Sequence, residues 1–370
     1  MAMPPVTVLV LAPVAGPDAG PLERALDDAR ATMADQHRTA FLAAGADQVV
    51  VHREPPDHTP FGARLRRLID GLGAEARSGG VVVLGAAAVP LATAADRRAF
   101  VTAARGDVPA LLANQRHSAD VLAIARAGLA LRGLPDLDTD NAIPRWLAEA
   151  GVPVRDLARR RRLAMDVDSL LDLVLLESAT ARPPTTPLPA SLAGPVRTRL
   201  VALRGVTGDP GAELLVAGRT SAIDLAWLEG RTRSRTRVLI EERGLRTASA
   251  GGLLGRPNRR PPRSVLGMLL EHGGPETLGS LATGLADGAL IDTRVLLAHR
   301  LGADERRWPS PEDRYASDLL LADRVTDPWL RALTAAAAQA AVPIVLGGHS
   351  LVGPGVRLAL RPPRGTRREP

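Results

Sequence analysis

Short apolar runs closed by glycine or proline recur along this chain and constrain its fold more than any other feature. "VTVLVLAP" (Val6 to Pro13), "GVVVLGA", "AELLVAGRTS", "GALIDT" and "VPIVLGG" are each a β-branched and leucine run ending in turn residues. Such runs are buried strands of a parallel sheet, covered on both faces. Amphipathic segments separate them. A helix is expected around Leu22 to Ala44, followed by "GADQVVVHR" as turn and strand. "ARLRRLIDGLGAEAR" places Leu65, Leu68, Ile69 and Leu72 on one helical face. Strands alternating with helices at this spacing imply βαβ units with right-handed crossovers. The expected class is α/β: two three-layer domains with mostly parallel sheets.

Beyond the third strand the spacing loosens. "ADRRAFVTAA" reads as a helix, "PALLAN" as a strand and "SADVLAIARAGLAL" as another helix. "DLDTDNAIPRWLAEAG" reads as a polar loop capped into a short helix, and "RLAMDVDSLLDLVLLE" as a strand running into a helix. "SATARPPTTPLPASLAGP" has the Pro, Thr and Ser content of a linker. The expected division is a first domain over 1–177, a linker over 178–197, a second domain over 198–360 and a disordered tail over 361–370. In the second domain "AIDLAWLEG", "SVLGMLLEHGG" and "ETLGSLATGLA" read as helices and "TRVLIEERG" as a strand. "TASAGGLLGRPNRRPPR" reads as an exposed, mobile loop. "DPWLRALTAAAAQAA" is a helix with Asp327 as N-cap and Pro328 at its first position.

Composition removes whole classes of chemistry. The 370 residues hold no cysteine and no lysine, so all 47 basic residues are arginine. A Schiff-base lysine, a pyridoxal-phosphate attachment, a P-loop lysine, a thiol nucleophile, a cysteine-ligated zinc and an iron–sulfur site are therefore excluded. Arginine alone is left for phosphate contacts, which its planar fork suits. The net charge of +7 raises nucleic acid as a partner, but the arginines are dispersed and not interleaved with aromatics. That pattern argues against nucleic acid. The opening "MAMPPVTVLVLAPVAG" lacks a basic leader and is too short to span a bilayer, so no membrane partner and a cytoplasmic location are expected.

Three stretches of the first half carry a family resemblance: "HRTAFLAAGADQVVVHR", "SGGVVVLGAAAVPLAT" and "RLAMDVDSLLDLVLL". In this order, over about residues 5–177, the chain resembles the nucleotidyltransferase branch of the glycosyltransferase-A fold. It is most similar to the small guanylyltransferases that act on phospholactate or on molybdenum cofactor. The resemblance implies a nucleotide or nucleotide-sugar as ligand and Mg2+ as cofactor. Asp166 and Asp168 would then be metal-binding and catalytic, in a segment that also holds Ser169 and Asp172. It further implies a phosphate loop after the first strand, here "APVAGPDAGPLERALDDAR", where Gly16 and Gly20 can offer amides and Arg24 a cation.

The departures bear on turnover. The third strand of the family ends in a metal-binding aspartate; here Gly85 is followed by Ala86, Ala87 and Ala88. Gly85 and Ala86 can let a ligand approach closely, but no alanine side chain supplies the oxygen that magnesium needs. Phosphoryl transfer rests on charge neutralisation and positioning, so these losses weigh against efficient transfer.

Several polar clusters admit two readings. Asp166 and Asp168 share one face of an extended segment, where they can share a cation; alternatively Asp168 or Ser169 caps the following helix. In "NQRHSAD" and "DTDNAIPR", His117 and Asp120 can act as base and orienter, and Asn114, Asn141 and Arg145 can contact a base or phosphate. A buried structural role for His117 and capping by Ser118 or Asp120 are the alternatives.

In open parallel sheets, ligands sit beyond the carboxyl ends of the strands. Three such ends in the second half are polar: Gly218, Arg219, Thr220 and Ser221; Asp292, Thr293 and Arg294; and Gly347, Gly348, His349 and Ser350. Each can bind an anionic ligand, with His349 as a catalytic candidate, and each can equally be a helix cap. Asp313, Arg314, Ser317 and Asp318 are read as a solvated face or a capping network. Three functions follow: a nucleotidyltransferase-like enzyme, a non-catalytic nucleotide-binding sensor or scaffold, or a second domain binding a small phosphorylated or carboxylated ligand.

Overall fold

A computed structural model describes residues 3–55, 57, 59–180, 183–245 and 260–361. The expected mobile loop over 247–263 lies outside the described residues up to position 259, and the expected tail lies outside them from 362 onward. The chain forms two compact α/β units, one of Met1–Asp18 with Asp27–Val167, the other of Ala19–Leu26 with Asp168–Pro370.

The first unit is built on β1 (Val6–Pro13), α1 (Pro21–Ala43, whose start up to Leu26 belongs to the second unit), β2 (Gln48–Glu54), α2 (Phe61–Gly71), α3 (Ala74–Ser78) and β3 (Gly80–Gly85). It continues through α4 (Ala94–Ala104), β4 (Ala110–Ala113), β5 (Val121–Ala125), α5 (Ala127–Ala130), α6 (Ile143–Glu149) and β6 (Val154–Asp156). The sheet runs β2-β1-β3-β5-β4-β6. β1 is parallel to both β2 and β3, whereas β5 is antiparallel to both β3 and β4. Alternation along β1 feeds two cores. Val6, Val8 and Val10 pack with Phe41 of α1 and Phe100 of α4, while Leu9 and Leu11 pack with Leu65 and Ile69 of α2 and Ile143 of α6. The sheet is thus covered on both faces, giving three layers.

Three expectations in this unit are corrected. Residues 118–131 form a strand followed by a short helix, not one helix. Val121 to Ala125 are all buried, Leu122 to Ile124 pair with β3 and β4 at once, and Arg126 then turns the chain with a φ of 51°. A run buried on both faces has no period that tells a strand from a helix. Secondly, the helix expected over 63–77 breaks at Gly73, whose φ of 88° is open only to a residue without Cβ strain. Thirdly, the strand expected ahead of the helix that begins at Leu170 shrinks to one antiparallel bridge between Asp166 and Ala88.

The second unit contains α7 (Leu170–Ala179), α8 (Ala190–Gly208), β7 (Glu213–Gly218), α9 (Ala222–Arg231), β8 (Arg235–Ile240), α10 (Val265–Gly273) and α11 (Leu278–Leu285). There follow β9 (Gly288–Asp292), α12 (Thr293–Leu301), α13 (Pro311–Asp318), α14 (Pro328–Gln339), β10 (Ile344–Gly347), α15 (His349–Val352) and α16 (Val356–Leu360). Its four strands run β10-β9-β7-β8, all parallel. The order reverses at β7: the next strand, β8, lies on one side and β9 on the other. The carboxyl ends of β7 and β9 therefore form the topological switch point of this sheet.

The units divide at Val167/Asp168 rather than at 177, and the expected linker becomes helical from Ala190, with Pro195 inside α8. The physical reason is burial: Leu170, Leu171 and Leu173 to Leu176 of α7 are core residues of the second unit. Among the described residues no helix is long and apolar enough to cross a membrane.

Candidate functional site

In the first unit the alanine turn after β3 is fastened from several sides. Ala86 N donates to Leu11 O at 2.8 Å, Ala88 N to Gly85 O at 3.0 Å, and Val167 N to Ala87 O at 3.1 Å. From beneath, His37 Nε2 donates to Ala88 O at 3.0 Å. His37 is buried, and its Nδ1 has no partner. Burial, with Arg97 adding repulsion, lowers its pKa to about 4, so the ring stays neutral. Val89 continues the turn at a φ of 44°. The carboxylate that follows, Asp96, is fully buried and committed to structure. It closes a capping box with Thr93 and accepts from Arg160 at 2.9 Å and from Arg162 at 2.6 Å twice. Burial opposes its ionisation, but Arg162, Thr93 and Arg160 hold it far below the ordinary carboxylate range.

The expected phosphate loop is likewise engaged. Gly16 is exposed, and Arg24 is exposed on the first turn of α1. The amides of Leu22 and Glu23, which a phosphate would use, donate instead to the Glu312 carboxylate at 2.9 and 3.0 Å. A Cβ on Gly20 would lie 2.3 Å from that carboxylate, so this glycine admits Glu312. The anion-ready helix start is thus filled by the chain's own anion.

Asn114, Asp120 and Asn141 come together, but as a staple. Asn114 Nδ2 donates to Asp120 Oδ2 and Leu163 O, both at 2.9 Å, and its Oδ1 accepts from the amides of Asp120 and Val121. All four of its bonds are spent. Asn141 Oδ1 accepts from Ala119 N at 2.7 Å. His117 and Arg145 stand exposed outside this network, so the buried alternative for His117 is corrected. Asp166 is half-buried in the first unit; Asp168 is exposed and belongs to the second. Asp168 N and Ser169 N and Oγ all donate to Asp172 Oδ2, so the capping reading of this segment describes its backbone. Among the described residues no three His, Asp or Glu gather into a metal-holding group.

The second unit gathers its candidates at the carboxyl edge of the sheet. Gly218 ends β7 with a φ of 135°, and a Cβ there would lie 2.3 Å from Asp292 Cβ at the end of β9. Glycine alone allows that approach. Next to it, Arg219 makes a fork to Asp292, with Nε to Oδ2 at 2.6 Å and Nη2 to Oδ1 at 3.1 Å. Asp292 also caps α12 by accepting from Arg294 N at 3.1 Å. Burial works against its charge, but Arg219, helped by His349 and Arg294, keeps its pKa below the ordinary carboxylate value. Arg294 in turn forks onto Asp318 at 2.5 and 2.6 Å and donates to Thr293 Oγ1, which donates to Gly347 O. Although burial favours loss of its proton, Asp318 raises the pKa of Arg294, while burial pushes the Asp318 carboxyl up against the pull of Arg294.

Around this pair of pairs, Gly348 leaves open the side of Arg294 Nε, which lies 3.7 Å from its missing Cβ. His349 is exposed, while Ser350 is buried. Thr220 is fully buried and its hydroxyl has no partner. Ser221 caps α9 and donates to Asp224 at 2.6 Å, so it serves the helix. Asp313, Ser317 and Asp318 are buried, which overturns the solvated-face reading. Asp313 accepts from Thr326 and Asp327, as a capping network requires.

Sequence reasoning missed the role of Asp318 as the partner of Arg294. Nothing local in "EDRYASD" says which face of its helix is inside. The resemblance places Asp172 in its aspartate-rich segment, but not its burial, which pushes the carboxyl up to about 7, with Asp168 and then Asp318 adding repulsion. No family model matches the chain, and no curated protein matches it in sequence.

Proposed function

We propose that this protein binds a small carboxylated or phosphorylated ligand at the carboxyl edge of its second sheet, where Arg219 and Asp292 meet between β7 and β9. One observation carries the reading: this buried ion pair stands where the strand order of an open parallel sheet reverses. Such switch points are where these sheets hold ligands. Two details support it. Arg219 uses only Nε and Nη2 on Asp292, which leaves Nη1 to meet an anion. The unpartnered hydroxyl of Thr220 costs about 1–3 kcal/mol unless something bonds to it. His349, close enough for its charge to act on Asp292, is the acid–base candidate of this edge.

A second reading, a nucleotidyltransferase-like first unit that holds a nucleotide or nucleotide-sugar, is favoured by its sheet, in which one antiparallel strand interrupts a parallel set. Magnesium on Asp166 and Asp168 belongs to this reading. The alanine turn does not fit a metal: its side chains carry no oxygen, and the carbonyls of Ala87 and Ala88 already accept from Val167 and His37. Turnover there is therefore not part of the proposal.

A thermal-shift screen separates the two readings. The expected outcome is a metal-independent rise in Tm with small carboxylates or inorganic phosphate, lost in the double variant Arg219→Met with Asp292→Asn. A rise only with nucleoside triphosphates and magnesium, unchanged in the double variant, would overturn the reading in favour of the first unit.

A further inference from the structure

The chemistry of a buried ion pair restricts what can replace it. Arg219 is nine-tenths buried and Asp292 wholly so, at 10% and 0% side-chain exposure. A plain anion that drew Arg219 away would leave Asp292 buried beside a weakened cation. Removing one partner of such a pair is strongly unfavourable, because the other charge is left uncompensated. An amine that took Asp292 would strand Arg219 in the same way. A ligand carrying both charges exchanges pair for pair and strands neither.

The walls of the adjoining cleft agree. Asp292, though not Arg219, lines it together with Glu241, Ser264, Leu266, Val295 and Leu296. Glu241 accepts from Ser264 Oγ at 2.7 Å and from Val265 N at 2.6 Å, which fixes its carboxylate beside the cleft. Two carboxylates among the lining residues favour a cation, and the leucine and valine side chains favour a short hydrocarbon. The cleft holds no room for a ligand as it stands, so binding there requires the Arg219–Asp292 fork to open.

We infer that the ligand is a zwitterion, a small apolar amino acid or a close relative, whose carboxylate takes Arg219 and whose ammonium takes Asp292. This rests on the reading of the β7/β9 edge as a ligand site and names the class of ligand it takes. Between the carboxylated and phosphorylated alternatives, it selects the carboxylated one.

Isothermal titration of the full chain with 2-aminobutyrate, butyrate, butylamine and inorganic phosphate at matched ionic strength tests it. The zwitterion is expected to bind at least about tenfold more tightly than any of the other three. In the Arg219→Met, Asp292→Asn double variant that preference is expected to vanish. Butyrate or phosphate binding as tightly as 2-aminobutyrate would overturn the zwitterion while leaving the anion reading in place. Heat from none of the four would overturn both. Should the double variant fail to fold, the ligand series on the unaltered chain decides alone.

Discussion

His37 shows how a single residue fixes the character of the alanine turn. Its neutral ring donates to Ala88 O from a position where a second proton would meet Arg97 and no acceptor. In the unfolded chain the ring titrates near 6.5, but in the folded chain near 4. The unfolded state therefore binds more protons between these values. Stability from this residue is complete above pH 6.5 and is lost as pH falls toward 4. The loss between pH 7.5 and pH 5 is about 2 kcal/mol. Urea unfolding of the unaltered chain and of His37→Gln checks this. The variant is expected to show a flatter pH profile in that window, and equal slopes would contradict the role. Nothing in "DQHRTAF" announces this histidine, because a helix sequence does not tell which turn lies above it.

At the start of α1 the sequence points to the amides of Gly16 and Gly20, whereas the amides that meet an anion are those of Leu22 and Glu23. The glycine and the helix start point to an anion, and an anion is there, supplied by Glu312 from α13. A methyl group at position 20 would press on that carboxylate and loosen its bonds to two amides. Gly20→Ala is expected to cost about 1–3 kcal/mol in denaturant unfolding. Most of that cost is expected to disappear when Glu312→Ala is already present, since both changes act on one contact. Additive losses would show that glycine serves another purpose. The strands that end in glycine or proline were legible because burial on both faces leaves a continuous apolar run. β5 was not, since "VLAIA" suits a helix equally until β3 and β4 pair with it. A three-residue edge strand such as β6 leaves too little pattern to read.

At the scale of the whole molecule, the second unit's edge was the most legible part of the candidate site. Arg219, Asp292, Arg294 and Gly348 were each visible as polar or small residues after an apolar run, and the parallel sheet brings them to one end. What the sequence withheld was pairing: that Arg219 serves Asp292, and that Arg294 is held by Asp318 from a helix with no motif of its own. Pairing depends on strand order and on packing across long separations, which local pattern does not carry. In the first unit the opposite holds: Asn114, Asp120 and Asn141, expected to hold a nucleotide, are joined to one another or to backbone groups, while His117 and Arg145 stand exposed outside them. Hydrogen exchange of the full chain with and without saturating 2-aminobutyrate tests the placement of the ligand most directly. Slowed exchange is expected over residues 217–224 and 290–297, at the carboxyl ends of β7 and β9. Protection confined to residues 13–24 and 85–96, or protection nowhere, would contradict the second sheet's edge as the binding site.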